Sequence, residues 1–150
     1  SDRYPMDSAN AGLCLIINQQ FFHNETDKSL ERFLPAEKLH ERKGTKKDVE
    51  ELRRTFSRFG FEIILEENKD HKEMLQIIER VTDEFEKRHC CLIVCILSHG
   101  AEGIVYGFNS IPVKVSEIEA RICSRSKGNL WKKPKVLLLQ SCQGENAMER

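Results

Sequence analysis

The chain carries no excess of charge of either sign. Lys plus Arg and Asp plus Glu number 24 each in 150 residues, so the formal net charge at pH 7 is zero. Proteins that bind nucleic acid or anionic membrane surfaces carry a basic excess, and this chain has none. Long apolar runs are also missing. The longest, Cys90 to Leu97, is far short of the roughly 20 residues a membrane helix needs. Nucleic acid and membrane are therefore not expected as partners, and the first residues carry no signal-peptide pattern. There is no internal repeat, no low-complexity tract and no Cys-x-x-Cys, which argues against a redox protein. The six cysteines lack the spacing of a disulfide framework, so they read as free thiols in a reducing compartment, the cytoplasm. A zinc site on Cys91 and Cys95 fails because four residues of strand span about 13 Å. His89 with Cys91 is little better. No metal and no cofactor are expected.

What is present reads as one α/β domain. Leu13 to Ile17 forms a first strand ending at Asn18-Gln19-Gln20, and Phe21 to Arg42 is a charged loop, functional or merely solvated. Thr45-Lys46-Lys47-Asp48 resembles a capping box, with Val49, Leu52, Phe56 and Phe59 on one helical face and Gly60 as the stop. Phe61 to Leu65 is a second strand. Asp70-His71-Lys72-Glu73 opens a helix whose stripe is Met74, Ile78, Val81 and Phe85. Cys90 to Leu97 is a third strand. Ile104-Val105-Tyr106 and Ile111-Pro112-Val113 can pair through an Asn109-Ser110 turn as a hairpin outside the main sheet, and Ser116 can cap a helix to Cys123. Ser124 to Asn129 is loop. The basic run Trp131 to Lys135 lacks a second basic cluster or an aromatic platform, and it reads as the solvated lead-in to a last strand, Val136 to Leu139. This order implies a mainly parallel sheet with helices on both faces. The chain opens at Ser1 without Met and stops at Arg150 just after its last strand, which reads as a segment of a longer polypeptide.

Two apolar strands, each expected to be buried on both faces, end in reactive groups. The Cys90 strand runs into Ser98-His99-Gly100, and the Val136 strand into Gln140-Ser141-Cys142-Gln143-Gly144. Ligands and catalytic groups gather beyond the carboxyl ends of such strands. An imidazole and a thiol there form a Cys-His nucleophilic pair. His23, His40, His71 and His89 fall in loops or at element ends, as surface imidazoles do. Cys14, Cys90, Cys91 and Cys95 read as packing residues.

These segments resemble the caspases, whose signature is Gln-Ala-Cys-(Arg/Gln/Gly)-Gly with a His about 50 residues upstream. Here the interval is 43 residues and Ser141 replaces the Ala, leaving a hydroxyl beside the nucleophile. Arg42-Lys43-Gly44-Thr45 resembles the family's Arg-x-Gly-Thr, and the matches run along the whole chain in order. Gln143, where executioner caspases commonly have Arg, points to initiators of the caspase-8 type. The resemblance implies a caspase-like three-layer α-β-α fold with only the large-subunit half of the sheet. Residues 1–150 would be the large catalytic subunit, with prodomain and small subunit absent from this chain. It further implies an aspartate-specific cysteine endopeptidase of apoptotic or innate-immune signalling, made as a zymogen. Cys142 would be nucleophile and His99 acid-base, with Gly100 and Cys142 N–H groups holding the oxyanion. Arg42 would grip the substrate aspartate, Gln140 would line its pocket, and the backbone carbonyl of His40 would orient His99. Expected partners are the small subunit, a homodimer or heterotetramer formed through it, protein substrates, and an adaptor bound by the prodomain. Paracaspases and metacaspases share the fold but cut after basic residues, which Arg42 argues against. A catalytically silent regulatory caspase homologue is the alternative from another class. Such proteins lose the thiol or the imidazole, and this chain keeps both.

Overall fold

The computed structural model describes residues 11–124 and 128–141, so Cys142, Gln143 and Gly144 lie outside the described residues, as does part of the loop from Ser124 to Asn129. In chain order the elements are β1 (Gly12–Asn18), α1 (Thr45–Arg58), β2 (Phe61–Glu67), α2 (His71–Glu84), β3 (Leu92–Ser98), β4 (Gly100–Ala101), β5 (Ile104–Tyr106), β6 (Pro112–Lys114), α3 (Val115–Ser124) and β7 (Lys135–Ser141). The main sheet has the order β2-β1-β3-β7 with every neighbouring pair parallel, and β4-β5-β6 form a separate small antiparallel sheet. The hairpin is therefore outside the main sheet, as its turn residues suggest.

Alternation along the strands sorts the core into two layers. Leu13, Leu15 and Ile17 of β1 and Leu92, Val94 and Ile96 of β3 pack against Met74, Ile77, Ile78 and Val81 of α2 and Ile118 and Ile122 of α3. Cys14, Ile16, Ile93, Cys95 and Leu97 face the other way, onto Val49, Leu52 and Phe56 of α1. Strands covered on both faces read as unbroken apolar runs, and β1 and β3 are buried at every residue. The architecture is α/β in three layers.

The two long helices start differently. At α2 the Asp70 carboxylate accepts from Glu73 N–H at 2.8 Å and the Glu73 carboxylate accepts from Asp70 N–H at 2.9 Å, a complete capping box. The capping box expected at Thr45 to Asp48 does not form. Gly44 is the cap residue, at φ +83, where only Gly sits without strain, and no side chain caps the helix. Thr45 is already helical, and its hydroxyl donates to Asn18 Oδ1 at 2.7 Å.

Several expectations about exposure change as well. The third strand begins at Leu92, which leaves Cys90 exposed rather than packed. His89 is buried, because Glu86 N–H donates to its Nδ1 and its Nε2 reaches Glu62. Phe59 ends α1 on the outside, and Ser116 lies within α3 instead of capping it. The loop after β1 contains a turn of 3-10 helix, Lys28–Phe33, capped by Asp27. β7 is the edge that the expected half-sheet leaves open, and its residues are less buried than their apolar run suggests. It pairs with β3 on one side and with no strand on the other among the described residues, and Val136, Leu138 and Leu139 are 40%, 42% and 42% exposed.

Asp70→Ala removes the acceptor for Glu73 N–H and is expected to lower unfolding stability by about 1 kcal/mol in urea titration. Asp70→Asn, which keeps an acceptor, should lose much less.

Candidate active site

Parallel pairing brings three strand ends to one edge of the sheet. Asn18 stands opposite Leu97, Leu97 opposite Gln140, and Ser98 opposite Ser141. Gln19 N–H extends the ladder past β1 by donating to Leu97 O at 2.9 Å. His99 leaves β3 at this edge, and its Nε2 lies 2.8 Å from the backbone carbonyl of His40. A carbonyl can only accept, so Nε2 carries the hydrogen and Nδ1 is the basic nitrogen of the neutral ring. The Phe22 ring packs on the imidazole with centroids 5.0 Å apart. The contact is to the main chain of His40, not to its side chain.

Gly100 follows, in a space that admits no side chain. A Cβ there would lie 2.7 Å from Ile104 O and 3.2 Å from the Cβ of Ser141. Tyr106 N–H donates to His99 O at 2.9 Å, which makes His99 and Tyr106 the hydrogen-bonded pair and Gly100 and Val105 the wide pair of the ladder. The Gly100 N–H is thus turned away from β5. Ser98 Oγ donates to Tyr106 O at 2.7 Å and secures the same turn.

Arg42 lies two residues beyond His40 and is buried. Its N–H donates to Gln20 O at 2.8 Å, which ties the segment to the chain leaving β1. The guanidinium Nη1 reaches Gln19 O at 2.9 Å, Thr45 Oγ at 3.0 Å and Asn18 Oδ1 at 3.3 Å. Arg42 Nε and Asn18 Nδ2 are both buried without a hydrogen-bond partner among the described residues. A buried N–H of that kind is costly unless a ligand fills it.

The loop between β1 and Arg42 is held from the far side by the hairpin. His23 N–H donates to Phe108 O and Glu25 N–H to Asn109 O, each at 3.0 Å. Ser110 Oγ donates to His23 O at 2.7 Å. Asn109 Nδ2 donates to Glu25 at 2.7 Å, a bond that holds the Glu25 carboxyl below the usual range. This loop is tied down at these points while most of its residues stay exposed.

Of the residues singled out from the sequence, His99, Gly100 and Arg42 share one end of the sheet. Gln140 is on the edge strand and exposed. Cys142 lies outside the described residues. The other thiols have different surroundings. Cys14 is pushed far up by the Cys95 thiol beside it and by burial, and burial raises Cys91. Neither is poised as a thiolate. Cys90 and Cys123 are exposed. Sequence reasoning missed Asn18, Thr45 and Phe22. The signal for Asn18 was a polar residue at the end of a buried strand and for Thr45 its spacing from Arg42, while Phe22 carried none.

The caspase domain family matches residues 11–150. The chain belongs to the caspase family. Among curated relatives it is 41% identical over 91% of its length to Caspase-8 of Drosophila pseudoobscura pseudoobscura, covering 26% of that protein. It is 34% identical over 95% of its length to Caspase-8 of Mus musculus, covering 29%, and 32% identical over 95% to Caspase-3 of Bos taurus, covering 48%. This caspase chain thus spans between about a quarter and a half of the relatives it matches.

Gly100→Ala should force the β4 turn away from β7. The expected cost is about 1–3 kcal/mol of stability, read as a lower thermal midpoint. Ala101→Gly next to it, at an exposed position, is expected to change it by under about 1 kcal/mol.

Proposed function

We propose that this chain is the large catalytic subunit of a cysteine endopeptidase that cleaves protein substrates after aspartate. The observation that carries the reading is the Nε2–H of His99 on the His40 carbonyl, two residues before a buried Arg42, at the carboxyl ends of the parallel strands. In this reading the Cys142 sulfur, as thiolate, forms a bond to the carbonyl carbon of the scissile peptide. The carbonyl π pair moves to oxygen, where the N–H groups of Gly100 and Cys142 hold it. Collapse breaks the C–N bond, and His99 gives the leaving amine its proton. Water then hydrolyses the thioester, with His99 taking a proton from the water and the sulfur leaving as thiolate. Arg42 accounts for the aspartate requirement, because its planar fork matches a carboxylate as Lys cannot. Gln140 lines the same pocket.

The open β7 edge supports a partner. Val136, Leu138 and Leu139 are exposed on a strand whose outer N–H and C=O row has no neighbour among the described residues. Such an edge is a template for further strands. In our reading a caspase small subunit supplies them, completes the aspartate pocket and makes the contact of a homodimer or heterotetramer. A prodomain outside this chain recruits an adaptor, as in initiator caspases of the caspase-8 type acting in apoptosis or innate immunity from a zymogen. Among the described residues no helix is long and apolar enough to cross a membrane, and the free cysteines suit the cytoplasm.

Labelling with a peptidyl-aspartyl electrophile tests the nucleophile. The complete enzyme should take up one label per active site at Cys142, and Cys142→Ala should lose both label and turnover while Cys14→Ala keeps them. Substantial turnover by Cys142→Ala would falsify the catalytic reading. The 150-residue chain alone should neither cleave nor stay monomeric until the small subunit is added, as peptide hydrolysis and sedimentation will read out.

A further inference from the structure

Arg42 is not free to turn, and the way it is held selects which edge of its guanidinium faces a ligand. Among the described residues, all the side-chain hydrogen bonds of Arg42 run through Nη1, to Gln19 O, Thr45 Oγ and Asn18 Oδ1. Two N–H groups serve three acceptors, so the 3.3 Å contact to Asn18 is the shared and weaker one. Proton directions follow from chemistry. Arginine only donates, so Thr45 Oγ accepts from Nη1 and spends its own hydrogen on Asn18 Oδ1, 2.7 Å away. That assigns the Asn18 amide unambiguously, with oxygen toward Thr45 and nitrogen away from it.

We propose that Thr45 and Asn18 are specificity-determining positioning residues, which lock Nη1 so that the Nε–Nη2 edge of Arg42 is presented to the carboxylate of the cleaved residue. The proposal rests on the functional reading above and adds the device behind it. Nε is buried and has no partner among the described residues, so a side-on carboxylate would satisfy it while taking its second bond from Nη2. Gly44 at φ +83 lets the chain enter α1 three residues after Arg42, which sets the Thr45 hydroxyl within reach. The Arg-x-Gly-Thr spacing then has a physical cause at each named position. Asn18, the last residue of β1, is 0% exposed, and it transmits the strand register to the guanidinium. With all three acceptors neutral, the arginine keeps its full charge for the substrate.

The test compares Thr45→Val, Thr45→Ser, Asn18→Leu and Asn18→Asp in the complete enzyme. Concentrations are set by active-site titration with an aspartyl electrophile, so that loss of folded protein does not enter the kinetics. Thr45→Val keeps the shape and removes the hydroxyl, and should raise KM for Asp peptides about tenfold, with a much smaller change in kcat. Thr45→Ser should restore the parental KM, a rescue that a packing role for the methyl group would not give. Asn18→Leu should behave like Thr45→Val. Asn18→Asp puts a competing carboxylate on Nη1, and should raise KM further and narrow the preference for Asp over Asn at the cleaved position. Parental KM and parental Asp-over-Asn preference in Thr45→Val and Asn18→Asp would overturn the proposal. Equal loss in Thr45→Val and Thr45→Ser would also overturn it. Arg42→Ala separates the two levels. If it cleaves Asp peptides at the parental rate, the functional reading itself fails. If it is inactive while the Thr45 and Asn18 variants match the parent, only the positioning device fails.

Discussion

The structure depends on the parallel register of β1, β3 and β7. One set of backbone pairings puts Asn18, Leu97 with Ser98, and Gln140 with Ser141 at the same edge. Side chains alternate along a strand, so a slip of one residue between β1 and β3 would turn Leu13, Leu15 and Ile17 onto the α1 side. It would also pull Asn18 away from Arg42 and break the Gln19 to Leu97 bond. The register is held by two apolar layers rather than by the polar site. Burying a Leu or Ile side chain contributes about 1.5–3 kcal/mol, and each layer contains several. The polar groups at the edge therefore sit in positions that the core has already set, where a few hydrogen bonds of about 1 kcal/mol each suffice to orient them.

The loop from Phe21 to Arg42 carries information between two otherwise separate parts. At one end the hairpin residues Asn109 and Ser110 hold His23 and Glu25. At the other the same segment supplies the His40 carbonyl and the Arg42 head. Phe22, between them, lies on the His99 ring. The small sheet thus braces the imidazole indirectly, through the loop that carries Phe22 and His40.

Much of this was legible in the residues and some was not. The order of elements was readable because the apolar runs at Leu13, Cys90 and Val136 are short, unbroken and bounded by polar residues. The stripe from Met74 to Phe85 follows helical spacing behind a complete Asp-x-x-Glu cap. His99 and Gly100 stood out because they directly follow such a run, and Arg42 only through the resemblance of Arg42-Lys43-Gly44-Thr45 to the family's segment. Thr45 was misread, because a Thr before a helix signals a cap equally well whether its hydroxyl turns to the backbone or to a neighbouring strand. That choice is made by Asn18, 27 residues away in sequence. The open side of β7 was expected, because the resemblance implies only half of the sheet in this chain, but its apolar run alone does not carry that information. Apolar composition marks a strand that wants cover, but it does not say whether the cover is in the same chain, and Leu138 and Leu139 remain open. His89 was also missed, since beside the local Glu86 N–H its partner Glu62 comes from β2, 27 residues away in sequence.

The central claim is that this edge of the sheet reads a carboxylate and delivers a thiol to the adjacent carbonyl. The most direct measurement is the hydrolysis rate of one matched peptide series by the complete enzyme, with Asp, Glu, Asn or Arg at the cleaved position. The account expects kcat/KM for Asp to exceed each of the others by at least about 10²-fold, since a site built to pair a charged group strongly rejects analogues that lack it. Comparable cleavage of the Arg or Asn peptide would contradict it.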